Sequence, residues 1–338
     1  MLLPTYHDDD ITKKVPFESG YQEAAPLSPE RAKRRDPEDI EKELRQQETE
    51  MQKLISLSIK LPKQVLWFEP PVMCHWDEKK RYWSTEGFYD SKHQEEQQIS
   101  SVKTRHLGVF ALAQRRFSNF PYQSWDLKPV EEGSVSYTVA AAVVTVEFII
   151  KLDSFLMVQR SGVTLDAFEA VAYIRALGDS ESPYTVLAEY GVNIRPEPDS
   201  PQYIDGLPVK DLSTENHLYL CMGLGCSSFQ FAWSRWNLLA GMDKLVLQFR
   251  EKISSQPPQG NHSLLLVTPD KAAMLECSDV SQSFSDEEVQ DYSFTADLYH
   301  FLLAAGSPQA KELMSKLECD HSYTVFEMLW LTKPLSYA

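Results

Sequence analysis

Val144-Thr145-Val146-Glu147-Phe148-Ile149-Ile150 sets large apolar side chains at 144, 146, 148 and 150, with Thr145, Glu147 and Ile149 between them. Period two is the repeat of a strand with one face buried. Upstream, β-like runs divided by turns recur at Leu66-Trp67-Phe68-Glu69, Tyr82-Trp83-Ser84 and 101–113. Within the last run, residues 106–112 are too dense in apolar side chains for a half-exposed strand. They read as buried on both faces, with His106 a hydrogen-bonded sheet residue. Strands at this spacing predict an antiparallel β-sandwich over 62–160.

Downstream the texture turns mixed. Thr164 caps a predicted helix through Ala176, with Gly178 as its stop, and a second short helix covers 184–190. Residues 195–212 are rich in proline and acids and read as a loop. Residues 214–236 fit helix or strand, 243–253 look amphipathic, and 264–267 make a strand. Helices return at 295–305, 308–317 and 322–332, so 161–338 is a mixed α+β domain. At the other end, residues 1–35 are polar and proline-spotted, a disordered tail. Asp36, Pro37, Glu38 and Asp39 then punctuate the start of a helix over 36–61. Its stripe of Ile40, Leu44, Met51, Leu54 and Ile55 is narrow, which fits a coiled coil or partner-binding helix as well as packing on its own domain. The predicted class is α+β: N-terminal helix, antiparallel β-sandwich, mixed α+β domain.

At 338 residues with 43% hydrophobic content, two compact units plus a tail are expected. The net charge of −16 repels polyanions, which argues against nucleic acid and anionic membranes as partners. Cys74, Cys221, Cys226, Cys277 and Cys319 are odd in number and form no CxxC pair, which argues against a disulfide framework and a zinc knuckle. The first residues lack a signal peptide, and the longest apolar run, 139–150, is too short for a bilayer. The chain reads as cytosolic or cytoskeletal.

No catalytic constellation assembles from spacing. Gly223-Leu224-Gly225 starts like a dinucleotide fingerprint, but Ser228 stands where the third glycine belongs. Cys226 lacks the flanking glycines of a nucleophile elbow and reads as a small buried thiol. His7-Asp8-Asp9-Asp10 is a solvated run without fixed geometry, and Cys74 and His75, adjacent on a strand, face opposite sides. His106-Leu107-Gly108 resembles the strand of self-cleaving sandwich domains, in which a Thr, Ser or Cys follows His-Leu. Gly108 has no nucleophile, so that route is closed. The basic clusters Arg31, Lys33, Arg34, Arg35 and Lys79, Lys80, Arg81 are the candidate partner-binding residues, suited to an acidic protein surface; the bland reading is a solvated face. Neither cofactor nor metal is expected.

A set of stretches, read in order, carries a family resemblance: Trp76 with Trp83-Ser84-Thr85-Glu86-Gly87; His106-Leu107-Gly108-Val109-Phe110-Ala111; Pro121-Tyr122-Gln123-Ser124-Trp125-Asp126-Leu127; Tyr190-Gly191-Val192-Asn193-Ile194; Ser234-Arg235-Trp236-Asn237; and Thr332-Lys333-Pro334-Leu335-Ser336. Together, over about 65–338, they resemble the C-terminal region of the cancer susceptibility candidate family, proteins associated with the intermediate chains of axonemal inner-arm dynein. The resemblance implies a non-catalytic accessory subunit in the ciliary axoneme and cytoplasm. Its implied partners are dynein heavy and intermediate chains and, directly or indirectly, tubulin. It also implies a longer charged helical region ahead of this one, for which only 36–61 could stand. The rival readings are a cytosolic signalling or scaffold sandwich without self-cleavage, and a thiol-dependent enzyme using Cys226 or another cysteine.

Overall fold

The computed structural model describes residues 53–160, 171–175 and 193–338, apart from 63, 64, 66, 68, 132, 143, 152, 153, 208, 254–259 and 291. Residues 1–52, with the predicted tail and most of the predicted first helix, lie outside the described residues. Where that helix was expected to finish, Ile55–Lys60 is a strand, β1. Ile55, Leu57 and Ile59 alternate with serines and a lysine, and this local period of two prevails over the helical spacing read from farther upstream.

Five short strands follow: β2 (Val72–Asp77), β3 (Tyr82–Ser84), β4 (Phe88–Gln94), β5 (Ile99–Thr104) and β6 (Phe110–Ala113). They form two antiparallel three-stranded sheets, β1-β5-β4 and β3-β2-β6. Phe88 of β4 meets His75 of β2 and Phe110 of β6 edge-on, at 5.9 and 6.1 Å between ring centroids, which brings the two small sheets together. The strands of 55–113 form these two small sheets, and the strands from Ser124 onward belong to a third. Residues 105–109 are a loop, with Leu107 82% and Val109 60% exposed, which corrects the doubly buried strand expected there. The density of apolar residues misled because Gly108, at φ 149°, breaks the run before β6 begins. His106 is no sheet residue: its ring stacks on His75 at 4.0 Å.

From β7 onward one antiparallel sheet dominates. In chain order its strands are β7 (Ser124–Glu131), β8 (Ser134–Ala140), β9 (Thr145–Lys151), β10 (Ser154–Arg160), β11 (Val171–Arg175), β12 (Phe229–Ala232), β13 (Leu245–Glu251), β14 (Ser263–Val267) and β15 (Ala272–Met274). Their spatial order is β11-β10-β9-β8-β7-β12-β13-β14-β15. Phe231 of β12 pairs with Leu127 of β7, so strands from either side of residue 160 share one sheet. Residues 171–175 are strand rather than the predicted helix; Val-Ala-Tyr-Ile carries the β-branched and aromatic residues that favour it.

Trp125, Leu127, Tyr137, Val139, Val146, Phe148, Ile150, Phe231, Leu247 and Leu265 line one buried face. Helices supply the other half of that core: α1 (Leu212–Gly225), with α2 (Trp236–Leu239) following, then α3 (Leu298–Ala305), α4 (Pro308–Lys316), α5 (Cys319–Thr332) and the terminal turn α6 (Pro334–Tyr337). Of these, α1, α3 and α5 contribute Leu218, Tyr219, Met222, Phe301, Leu302, Val325, Met328 and Leu329. On the sheet's reverse side Trp236, Val246, Leu264, Leu266 and Leu275 make a smaller cluster. The architecture is α+β. Among the described residues no helix is long and apolar enough to cross a membrane.

Candidate functional site

Several of the stretches that carry the resemblance meet around the C-terminal segment. The Tyr122 amide donates to the Tyr337 carbonyl at 2.7 Å, and its hydroxyl sits between the carbonyls of Ile194 (2.6 Å) and Thr332 (3.0 Å). The Asn237 side-chain amide donates to the Leu335 carbonyl at 2.7 Å. Tyr219 donates to buried Glu215 at 2.7 Å and accepts from the Leu335 amide at 3.0 Å. Buried Lys210 sends its Nζ to the carbonyls of Asn237 (2.6 Å), Gly241 (2.6 Å) and Lys244 (2.9 Å). Burial lowers this amine to about 8 and raises Glu215. With three carbonyls filling its three N–H positions, Lys210 has no free lone pair for chemistry. Bonds from Tyr122, Asn237 and Tyr219 hold residues 332–337 against the segment before β7, α2 and α1.

A second cluster lies where α1 meets α3. Asp211 caps α1 by accepting from the Thr214 amide at 2.9 Å, and Asp297 caps α3 by accepting from the His300 amide at 2.8 Å. His217 and Cys221 stand one turn apart on α1, so they share a face. His217 Nε2 lies 3.6 Å from Cys221 Sγ and 3.2 Å from Asp297 Oδ2. The other Asp297 oxygen is 2.7 Å from His300 Nδ1. Burial pushes the Cys221 thiol up to about 11, against the pull of a hydrogen bond from the Tyr299 amide. Burial alone would raise Asp297, but hydrogen bonds from His300 and His217 outweigh it and leave the carboxyl below its usual range.

This is not the layout of a Cys-His-Asp nucleophile. Such a triad uses the two ring nitrogens separately, one toward the thiol and one toward the acid. Here a single nitrogen faces both, and the thiol is held protonated. Cys226, the thiol weighed in the sequence, is fully buried and pushed up to about 12 by burial, as expected of an inert core cysteine. Gly223 and Gly225 serve helix packing: a Cβ on Gly223 would stand 2.5 Å from the Ser322 carbonyl oxygen, and one on Gly225 2.5 Å from Leu302 Cδ1. The His217–Cys221–Asp297 set escaped sequence reading because its third member comes from 76 residues beyond Cys221. The i,i+4 His and Cys on one helix were the only available signal.

Of the candidate partner-binding residues, Arg31, Lys33, Arg34 and Arg35 lie outside the described residues. Lys79, Lys80 and Arg81 are exposed at the β2–β3 turn. Asp77 Oδ1 fixes the turn by accepting from the Lys79 and Lys80 amides at 2.9 and 3.1 Å, and Lys80 Nζ lies 5.5 Å from the Tyr82 ring centre. Arg116, by contrast, is engaged by Glu197 and Asp199.

The family model for the cancer susceptibility candidate 1 C-terminal region matches residues 79–296. Human dynein axonemal intermediate chain 7 is 27% identical over 289 residues, which is 84% of this chain and 39% of that protein. The Danio rerio protein of the same name is 26% identical over 288 residues, 84% and 38% respectively. A Ciona intestinalis homologue is 29% identical over 261 residues, 73% and 34%. The chain thus spans about two fifths of the length of the human relative it matches.

Proposed function

Since the chain belongs to the cancer susceptibility candidate 1 C-terminal family, we propose that it is a non-catalytic accessory subunit of axonemal inner-arm dynein, scaffolding dynein chains at the microtubule. The observation that carries this reading is the likeness, over 84% of the chain, to proteins named dynein axonemal intermediate chain 7. The chemistry of the fold supports it. Lys210 has its donors saturated, and Cys226 is held as a neutral thiol. The partners proposed are dynein heavy and intermediate chains, with tubulin met directly or through one of them, in the axoneme.

Direct contact would fall to Lys79, Lys80 and Arg81, a basic turn on an otherwise acidic chain. The indirect route is favoured by the net charge of −16, which repels acidic tubulin. A pull-down from ciliary extract with identification of the bound chains tests the reading. Inner-arm dynein chains should be captured in preference to other axonemal proteins. Their absence, with the bait folded, overturns it.

A further inference from the structure

The geometry points to a Zn2+ site at the α1–α3 junction, with His217 Nε2, Cys221 Sγ and Asp297 Oδ2 as its three protein ligands and water in the fourth position. The three donor atoms come from two helix faces and lie within 4.8 Å of one another. Their spacing is informative. Zinc takes imidazole nitrogen at about 2.05 Å, thiolate at about 2.3 Å and carboxylate oxygen at about 2.1 Å, in a tetrahedron. Those bond lengths place nitrogen and sulfur about 3.6 Å apart and nitrogen and oxygen about 3.4 Å apart. The observed nitrogen–sulfur and nitrogen–oxygen separations are 3.6 and 3.2 Å, and sulfur and oxygen lie within 4.8 Å of each other.

Hydrogen bonding alone accounts for the cluster poorly. Nε2 holds at most one proton, which serves only one of its two neighbours well. A cation satisfies nitrogen, sulfur and oxygen together. The surroundings are those of a supported site. His300 holds the second carboxylate oxygen with both its amide and its ring, leaving Oδ2 aimed at the junction. Cys221 is buried while the His217 side chain is 56% exposed, so the site has a protected base and an open mouth for the ion and its water. Thiolate with imidazole selects zinc over magnesium or calcium. Binding replaces the thiol proton by the metal, one proton released per ion, and affinity therefore rises with pH. An ion here would pin α1 to α3, two of the helices that cover the large sheet. The site is independent of the dynein reading and stands or falls separately.

Co2+ is the probe. The full chain, stripped with chelator, should take up one equivalent and show the near-ultraviolet thiolate-to-cobalt band with tetrahedral visible bands; Zn2+ should displace Co2+ and raise Tm. Cys221→Ala should abolish the charge-transfer band. Asp297→Asn, which keeps the cap on α3, and His217→Ala, at a largely exposed side chain, should each weaken Co2+ uptake at least tenfold. His300→Ala should cost about 10–100-fold in affinity through the carboxylate it holds. Cys319→Ser should change nothing. No thiolate band at one equivalent, or a band that persists in a folded Cys221→Ala chain, overturns the proposal. So does uptake indifferent to His217 and Asp297.

Discussion

The hydroxyls of Tyr137 and Thr332 meet at 2.7 Å inside the core, joining the middle of β8 to the last turn of α5. Thr332 gives its own proton to the Met328 carbonyl at 2.8 Å, so Tyr137 is the donor between the two. The two truncations are therefore unequal. Tyr137→Phe removes a donor and should cost about 0.5–1.5 kcal/mol, whereas Thr332→Val strands a buried phenol and should cost about 1–3 kcal/mol. The double variant should cost less than the sum, as denaturant unfolding of all four proteins would show. Additive losses would mean that the hydroxyls do not interact.

Gly223 presses α1 against α5, with the Ser322 carbonyl where a Cβ would go. Replacing a helical glycine by alanine ordinarily stabilises by up to about 1 kcal/mol. At Gly223 the sign should reverse, with a loss of about 1–3 kcal/mol as the helices are forced apart. A Gly223→Ala chain of equal or higher midpoint in guanidinium would refute the close approach.

What the sequence made legible follows from where each signal is stored. Val146, Phe148 and Ile150 announced β9 because an alternating strand writes its burial locally, and all three are in the core. The helices expected at 295–305, 308–317 and 322–332 lie at Leu298–Ala305, Pro308–Lys316 and Cys319–Thr332, each within three residues at either end. The pairing of Phe231 with Leu127 leaves no such trace: it joins residues 104 apart, and nothing near either one names the other. The same holds at the α1–α3 junction, where His217 and Cys221 are close in sequence but Asp297 is not. The two glycines of α1 were noticed as a nucleotide motif that failed, and only the neighbouring helices reveal that they are contact points. The aromatics of Pro121-Tyr122-Gln123-Ser124-Trp125 stood out by composition; their work, with Trp125 in the core and Tyr122 holding the chain's last residues, needed coordinates.

Cys226 offers a test of burial through alkaline stability. Its thiol rises from an ordinary 9.0 to about 12 in the fold, with burial the chief cause. A raised folded value means that stability from the neutral thiol is complete below about pH 9 and is lost as pH climbs toward 12. The unfolded chain gives up its proton first, so unfolding is favoured in that window by up to about 1.4 kcal/mol per pH unit for this one group. Cys226→Ala removes the group from both states. Its unfolding free energy should therefore fall less steeply than that of the parent between pH 9 and 11, the difference cancelling every other titrating residue. Parallel curves would show that the thiol ionises freely in the folded chain.

The route to the microtubule can be settled by salt. Tubulin presents acidic tails, and a chain of net charge −16 meets them with repulsion except at a basic turn such as Lys79-Lys80-Arg81. We expect the purified chain to co-sediment poorly with microtubules at any ionic strength and to gain binding when an inner-arm dynein chain is added. Were contact direct, it would decay as salt shortens the screening length below about 8 Å, and exchange of Lys79, Lys80 and Arg81 for glutamate would weaken it similarly. The triplet sits on an exposed turn fixed by Asp77, whose bonds go to backbone amides, so the exchange spares the hydrogen bonds that hold the turn and removes the Lys80 contact with Tyr82 along with the charge. Tight sedimentation of the isolated chain that ignores both salt and the triplet would contradict either electrostatic account. It would direct attention to apolar docking through exposed side chains such as Leu239, Met242 and Phe294.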